Sequence, residues 1–238
     1  MKILSVEASA SPASVAITEN GKVLSSSYIN INLTHSQTLM NMVDGALKNI
    51  RLTVDGIDAF AVSAGPGSFT GLRIALSLIK GLAEPYNKPC AGVSTLEAMA
   101  YNHKSFDGIV CCLMDARCNQ FYNAIFSVKN GEIKRLVPDR AVLCEEVISD
   151  LNGFARTEKV LLCGDGADLF FNSLENKENI KLASEPLKYQ SAAGVGFLAE
   201  ADFEKKSVTP DKLAPVYLRL PQAERELKAK KEKASDIK

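Results

Sequence analysis

The chain has 238 residues, 46% of them apolar and 24% charged, enough for one or two domains with a real core and unlike a disordered or collagen-like chain. Its 28 basic residues balance its 28 acidic ones, so no bulk positive charge points to direct binding of nucleic-acid phosphates. No apolar run approaches the ~20 residues of a membrane helix. Glu7 interrupts the apolar start where a secretion signal would continue, so a cytoplasmic chain without membrane contact is expected.

The first apolar run, 3–6, ends at Glu7. A small-residue turn leads into a second β-type run at 14–18, then Asn20-Gly21, then Val23 and Leu24. Asn-Gly between two such runs is a strong hairpin signal, because both turn residues need positive φ. Residues 36–50 place Leu39, Val43, Ala46 and Ile50 on one helical stripe, widened by Met40, Met42 and Leu47, with Thr34 or Ser36 able to cap the start. A strand at 59–63 runs through a glycine-rich turn into a helix at 71–83. That helix carries Leu72, Ile74, Ala75, Leu76, Leu78, Ile79 and Leu82 almost all round, so it is buried on more than one side or sits in an interface. The order then recurs: a run at 109–114 ended by Asp115, a turn, a run at 121–128, Asn130-Gly131 and a run at 133–137. A strand at 159–163, Gly164-Asp165-Gly166 and a helix follow. A helix at 191–205 puts Val195, Leu198, Ala199 and Phe203 on one face, and 210–221 is extended and bounded by prolines. The tail, 223–238, holds six basic and four acidic residues with few large apolar ones and is expected to be mobile.

Glu7 stands 13 residues before Asn20, and Asp115 stands 15 before Asn130. Self-similarity of this length implies a duplicated lobe. The predicted fold class is α/β, a duplicated fold like that of actin, Hsp70 and the sugar kinases, with two lobes of mixed sheet and flanking helices. Lobe one is expected at 1–101 plus 190–222, and lobe two at 102–189. Such an analogy fixes architecture, not function.

Residues 64–73, Ala-Gly-Pro-Gly-Ser-Phe-Thr-Gly-Leu-Arg, join a strand to the apolar helix. Free N–H groups at such a turn favour an anion, yet the run lacks the Gly-Lys-Ser/Thr of a phosphate-binding loop. Read structurally, Gly65 and Gly67 supply turn conformations and Ser68 or Thr70 caps the helix. Glu7 and Asp115 end the two equivalent first strands, where actin-like kinases carry acids that hold Mg²⁺; alternatively both cap strand ends. Glu7, Gly65, Gly67, Ser68, Asp115 and Arg117 are therefore the candidates for a vestigial nucleotide cleft. No metal site is expected, because the two histidines, His35 and His103, are far apart and neither has cysteines at zinc spacing; both read as surface or capping residues. The six cysteines form no C-x-x-C pair and read as buried free thiols. No G-x-S-x-G marks a nucleophile.

Residues 64–74 resemble the signature of the TsaB family of tRNA threonylcarbamoyladenosine biosynthesis proteins. Gly92-Val93-Ser94-Thr95-Leu96-Glu97-Ala98-Met99-Ala100, then Asp115-Ala116-Arg117 with Tyr122, then Pro215-Val216-Tyr217-Leu218-Arg219 resemble its further blocks, in order. Glu7 departs from the family's usual aspartate, and the charged tail extends past its usual end. The resemblance implies a catalytically inactive paralogue of TsaD without cofactor. It would pair with a TsaD-like protein and a TsaE-like ATPase, and meet tRNA only through that complex. TsaD-type relatives keep a two-histidine metal site on a helix near their start, and the helix after His35 has no second histidine. The expected partner interface is the pair of helices at 36–50 and 71–83, through Leu39, Met42, Val43, Leu47, Leu72, Ala75, Leu78, Ile79 and Leu82. Two helices from each partner would form a four-helix bundle, and the same surface could pair with itself as a homodimer. The competing readings are a small-molecule kinase of the actin-like fold and a glycoprotease-type peptidase.

Overall fold

The computed structural model describes residues 1–219; the end of the segment assigned to lobe one and the charged tail lie outside them. Both Asn-Gly turns form as expected. Asn20 and Gly21 have φ of 51° and 72°, and Asn130 and Gly131 have 52° and 78°. Each therefore joins two antiparallel strands: β2 (Ala13–Glu19) to β3 (Lys22–Ile29), and β7 (Gln120–Lys129) to β8 (Glu132–Leu143).

The remaining strands are β1 (Lys2–Glu7), β4 (Ala59–Gly65), β5 (Cys90–Ser94), β6 (Gly108–Asp115), β9 (Val160–Cys163), β10 (Ile180–Leu182) and β11 (Ser207–Val208). One sheet runs β11-β5-β4-β1-β2-β3 and the other β10-β9-β6-β7-β8. Without β11 the two orders are the same order. In both, the first strand pairs antiparallel with the second and parallel with the fourth. The duplication read from spacing is thus a duplication of topology, and it leaves Glu7 and Asp115 at corresponding strand ends.

Helices α1 (His35–Asn49) and α2 (Phe69–Ala83) cover one face of the first sheet. Their inward side chains share one core with Leu4, Val15, Phe60 and Val62. In the second lobe α4 (Cys144–Phe154) and α5 (Ala167–Ser173) take the same places over a core built around Phe121 and Phe170, whose rings meet edge to face at 5.6 Å. A short α6 (Glu185–Lys188) precedes α7 (Ala192–Ala201), and α8 (Phe203–Lys206) follows. The single helix expected at 191–205 is therefore two, broken at Asp202.

The helices between the sheets are exchanged. Helix α3 (Thr95–Tyr101) lies in the segment assigned to lobe one, yet Leu96, Met99 and Ala100 pack with Val110, Cys112 and Phe126 of the second sheet. Conversely α7, from the end of the chain, buries Val195, Leu198 and Ala199 against Ile3, Ala61 and Val93 of the first. Arg135 of β8 strengthens the crossing: it pairs with Glu97 of α3 at 2.8 Å and with Asp139, while Asp139 accepts the Ser94 hydroxyl at 2.6 Å.

Two expectations on burial need correction. Cys118 is exposed, and the other five cysteines are buried free thiols. His103 is buried rather than on the surface, because it follows α3 into the joint between the lobes, beside Cys163.

Candidate functional site

The ends of β1 and β6 face a cleft of about 460 Å³ between the lobes. Three of the four sequence blocks meet there. The first supplies Gly67, Ser68 and Phe69, the third Asp115, Ala116, Arg117 and Tyr122, and the fourth Val216 to Arg219. Ser9, Ala10, Ser11, His35, Met114 and Asp165 complete the wall. The second block stands outside it and joins the lobes through Ser94 and Glu97.

The glycine-rich turn is shaped by its own chain. Gly65 has φ of 135°, and a Cβ there would stand 2.2 Å from the Val216 carbonyl oxygen; one on Gly67 would stand 2.5 Å from that of Ser9. The N–H of Ser68 donates to the Ser9 carbonyl at 2.6 Å, and that of Val216 to Ala64 at 2.7 Å. Ser68, not Thr70, caps α2, its hydroxyl accepting from the Gly71 N–H at 3.3 Å. The close approach that the glycines permit is therefore filled by the 8–9 turn and by the returning segment 213–219. Gly67→Ala is expected to lower stability by about 3 kcal/mol, since the new methyl overlaps backbone that cannot rotate away. Urea unfolding checks this, and an unchanged midpoint would contradict it.

The returning segment straps the cleft. The Tyr217 ring stacks on Phe69 with centroids 4.7 Å apart, and its hydroxyl meets Arg73 Nε at 3.0 Å. Arg219, from the far end of the strap, donates to the Ala116 carbonyl of the other lobe. The prolines marked this segment as extended; what it lies on was not legible, because its contacts are far away in sequence.

Of the candidate cleft residues, Gly67, Ser68, Asp115 and Arg117 line the wall. Glu7 does not. It is buried beneath, accepting hydrogen bonds from the Ser9 N–H at 2.6 Å and from the Ser63 hydroxyl, and burial raises its pKa. Asp115 accepts from the Arg117 N–H at 2.7 Å, which closes a turn in which Arg117, Cys118 and Asn119 all have φ between 55° and 65°. Arg117 and Cys118 are strained there by about 1–2 kcal/mol each, whereas asparagine at 119 takes the left-handed conformation more readily.

Asp165 is the acid that sequence reasoning passed over. The duplication carried the signal, since Gly164-Asp165-Gly166 occupies the position of the first glycine turn. Burial, with the neighbouring Asp115 and Glu7 charges, pushes its carboxyl up to about 6 from 3.8, and Gln190 Nε2 donates to it at 2.7 Å. The folded chain thus holds this proton more tightly than the unfolded chain does. Stability is expected to fall as pH rises from about 4 to about 6, with up to about 3 kcal/mol lost above that window. Asp165→Asn should flatten this slope and raise the melting temperature near neutral pH. Thermal melts across the window test it, and an equally steep profile in the variant would contradict it.

The expected partner residues sit elsewhere than a docking surface requires. Leu39, Met42, Val43, Leu47, Leu72, Ala75 and Ile79 are buried in the first lobe's own core, and only Leu78 and Leu82 are partly exposed. Helix α2 has two neighbours within its own lobe, the sheet and α1, so its wide apolar arc is mostly used internally. The outer faces carry Met40, Asp44 and Lys48 on α1, and Ile74, Ser77, Leu78, Gly81 and Leu82 on α2.

Two matched sheets, exchanged linking helices and a cleft at the strand ends place the chain in the structural class of actin, Hsp70 and the sugar kinases. Component A of (R)-2-hydroxyglutaryl-CoA dehydratase from Acidaminococcus fermentans shares the fold at a TM-score of 0.51 and 13% identity, over 86% of this chain and all of its own. The family model of TsaD, tRNA N6-adenosine threonylcarbamoyltransferase, matches residues 23–226. The chain is 29% identical to the tRNA threonylcarbamoyladenosine biosynthesis protein TsaB of Bacillus subtilis, over 94% of this chain and 96% of that one. YeaZ from Pseudomonas aeruginosa superposes with a TM-score of 0.78 at 25% identity, over 91% of this chain and 99% of its own. The chain belongs to the TsaD family and, within it, to the TsaB proteins.

Proposed function

We propose that this chain is a non-catalytic partner of a TsaD-like threonylcarbamoyltransferase. In that role it is required to form the threonylcarbamoyl group on the adenosine beside the anticodon of tRNAs that read codons beginning with A. The observation that carries the reading is full-length likeness to TsaB in a chain with a single histidine on its first helix. The Nε2 of that residue, His35, is engaged with the Ala10 carbonyl at 2.9 Å. A TsaE-like ATPase would join the pair, and tRNA would be met only through the complex, in the cytoplasm. Among the described residues no helix is long and apolar enough to cross a membrane.

The partner surface in this proposal is the outer face of α1 and α2. It centres on Leu78 and Leu82 with Ile74 and Met40, and Gly45 and Gly81 allow close helix approach. A Cβ on either glycine would meet nothing within 4 Å, so both positions are open. The same face can pair two copies of the chain when the partner is absent. The cleft is read as a vestigial nucleotide site, because the glycine turn that would cradle phosphate is filled by backbone. The kinase reading has less support for the same reason, and the peptidase reading has less because the thiol that stands beside an imidazole, Cys163 with His103, is buried away from any peptide substrate. Co-expression with the TsaD-like protein of the same organism, followed by light scattering on the purified pair, tests the partnership. A one-to-one complex is expected, and two separately eluting proteins would contradict it.

A further inference from the structure

The face of the second sheet turned toward α3 carries two thiols that neither the cleft nor the partner surface uses. Cys112 on β6 and Cys163 on β9 are Cα partners across parallel strands, and their Sγ atoms are 3.5 Å apart. Neighbouring strands run about 4.7–4.9 Å apart, inside the roughly 4.4–6.8 Å that a disulfide spans between Cα atoms. Side chains alternate along a strand, so Cys111 points the other way. It lies in the core under α4 and α5, where Asn123 Nδ2 donates to its Sγ at 3.3 Å. Of the adjacent pair 111 and 112, Cys112 alone shares a core with Cys163.

His103, 5% exposed, stands beside Cys163, and its Nε2 has no hydrogen-bond partner among the described residues. Contact with Cys112 and with this imidazole pulls the Cys163 thiol below its ordinary value against the effect of burial, whereas burial pushes the Cys112 thiol up. One sulfur is thus poised as thiolate and the other as thiol, the two forms that stepwise disulfide formation uses in turn. We propose that Cys112 and Cys163 are an oxidative modification site, which hydrogen peroxide closes into an intramolecular disulfide with His103 supplying a proton. The Cys163 thiolate attacks one peroxide oxygen: an S–O bond forms, the O–O bond breaks, and the departing hydroxide takes a proton from the His103 imidazolium and leaves as water. The Cys112 sulfur then attacks the sulfenic sulfur: the S–S bond forms, the S–O bond breaks, and the hydroxyl leaves as water with the Cys112 proton. Two thiols are oxidised, and one peroxide is reduced to two waters.

Both sulfurs are buried, and their cover is slight. Helix α6, four residues long, lies against this end of β9: His103 meets the Leu187 backbone, and the Gly164 N–H donates to the Lys188 carbonyl at 2.6 Å. Local opening of so short an element admits a molecule little larger than water, though not a peptide. The link would tie β6 to β9 just behind Asp115 and Asp165, and it rests on nothing in the partner role.

The test uses the full chain with Cys118→Ser, which removes the exposed thiol. It is treated with hydrogen peroxide in native buffer, the remaining thiols are alkylated in denaturant, and the monomer is analysed by intact mass and peptide mapping. The expected product has an intramolecular link that removes two alkylation sites and is undone by dithiothreitol. The link should persist in Cys111→Ser, be lost in Cys112→Ser and in Cys163→Ser, and form at least tenfold more slowly in His103→Gln. Circular dichroism establishes that each variant is folded. No link in the Cys118→Ser chain, a link through Cys111, Cys90 or Cys144, or formation as fast in His103→Gln would overturn the proposal.

Discussion

Met42→Glu is expected to unfold the first lobe, whereas Met40→Glu on the same helix should leave its stability within about 0.5 kcal/mol. Met42 is 5% exposed, in one core with Leu39 and Val43 on the face of α1 that covers β2 and β3, while Met40 is 50% exposed. A carboxylate at position 42 must either be buried without a partner or drive α1 off the sheet. The penalty is about 4 kcal/mol or more, a large part of the ~5–15 kcal/mol that holds a domain folded. Urea unfolding of the two variants side by side measures the difference. Equal midpoints would mean that α1 does not pack as described, and that position 42 is free for a partner after all.

Gly81→Arg is expected to weaken pairing with the TsaD-like protein at least a hundredfold while leaving the chain as stable as before or slightly more so. Gly81 is exposed on α2, and an added Cβ has nothing within 4 Å. Inside the free chain the substitution only removes a glycine from a helix, worth about 0.5–1 kcal/mol. Across a helix–helix contact the arginine would hold the partner away. This separation of folding from binding is cleaner than Leu78→Glu, because Leu78 also packs partly against the core. Titration of labelled variant with the partner, beside a thermal melt, gives both numbers. Normal affinity would move the interface off this face.

The fold was legible because its signals are local or repeated. The Asn20-Gly21 and Asn130-Gly131 turns each announce themselves within a few residues. The recurrence of acid, turn and hairpin identified two copies of one topology. The crossing of α3 onto the second sheet left no such mark: Leu96 and Met99 read as an ordinary apolar face whichever sheet they cover. The outward side of α2 was illegible for a related reason. Thr70, Arg73, Ser77 and Lys80 make only a narrow polar stripe beside leucine or isoleucine at 72, 74, 76, 78, 79 and 82, and two neighbours within the helix's own lobe absorb most of that apolar arc. In the cleft, Asp115 and the glycine turn were found because they end strands. Ser9, Asp165 and Tyr217 reach it from three different segments, and only the folded chain brings them together.

Reconstitution of the modification tests the central claim most directly. The TsaD-like enzyme, the TsaE-like ATPase and threonylcarbamoyl-adenylate are incubated with unmodified tRNA, with and without this chain, and the nucleosides are quantified by mass spectrometry. Threonylcarbamoyladenosine is expected only when this chain and the TsaD-like enzyme are both present, with none formed by this chain alone. Full modification without this chain, or modification by this chain in the absence of the TsaD-like enzyme, would contradict the account.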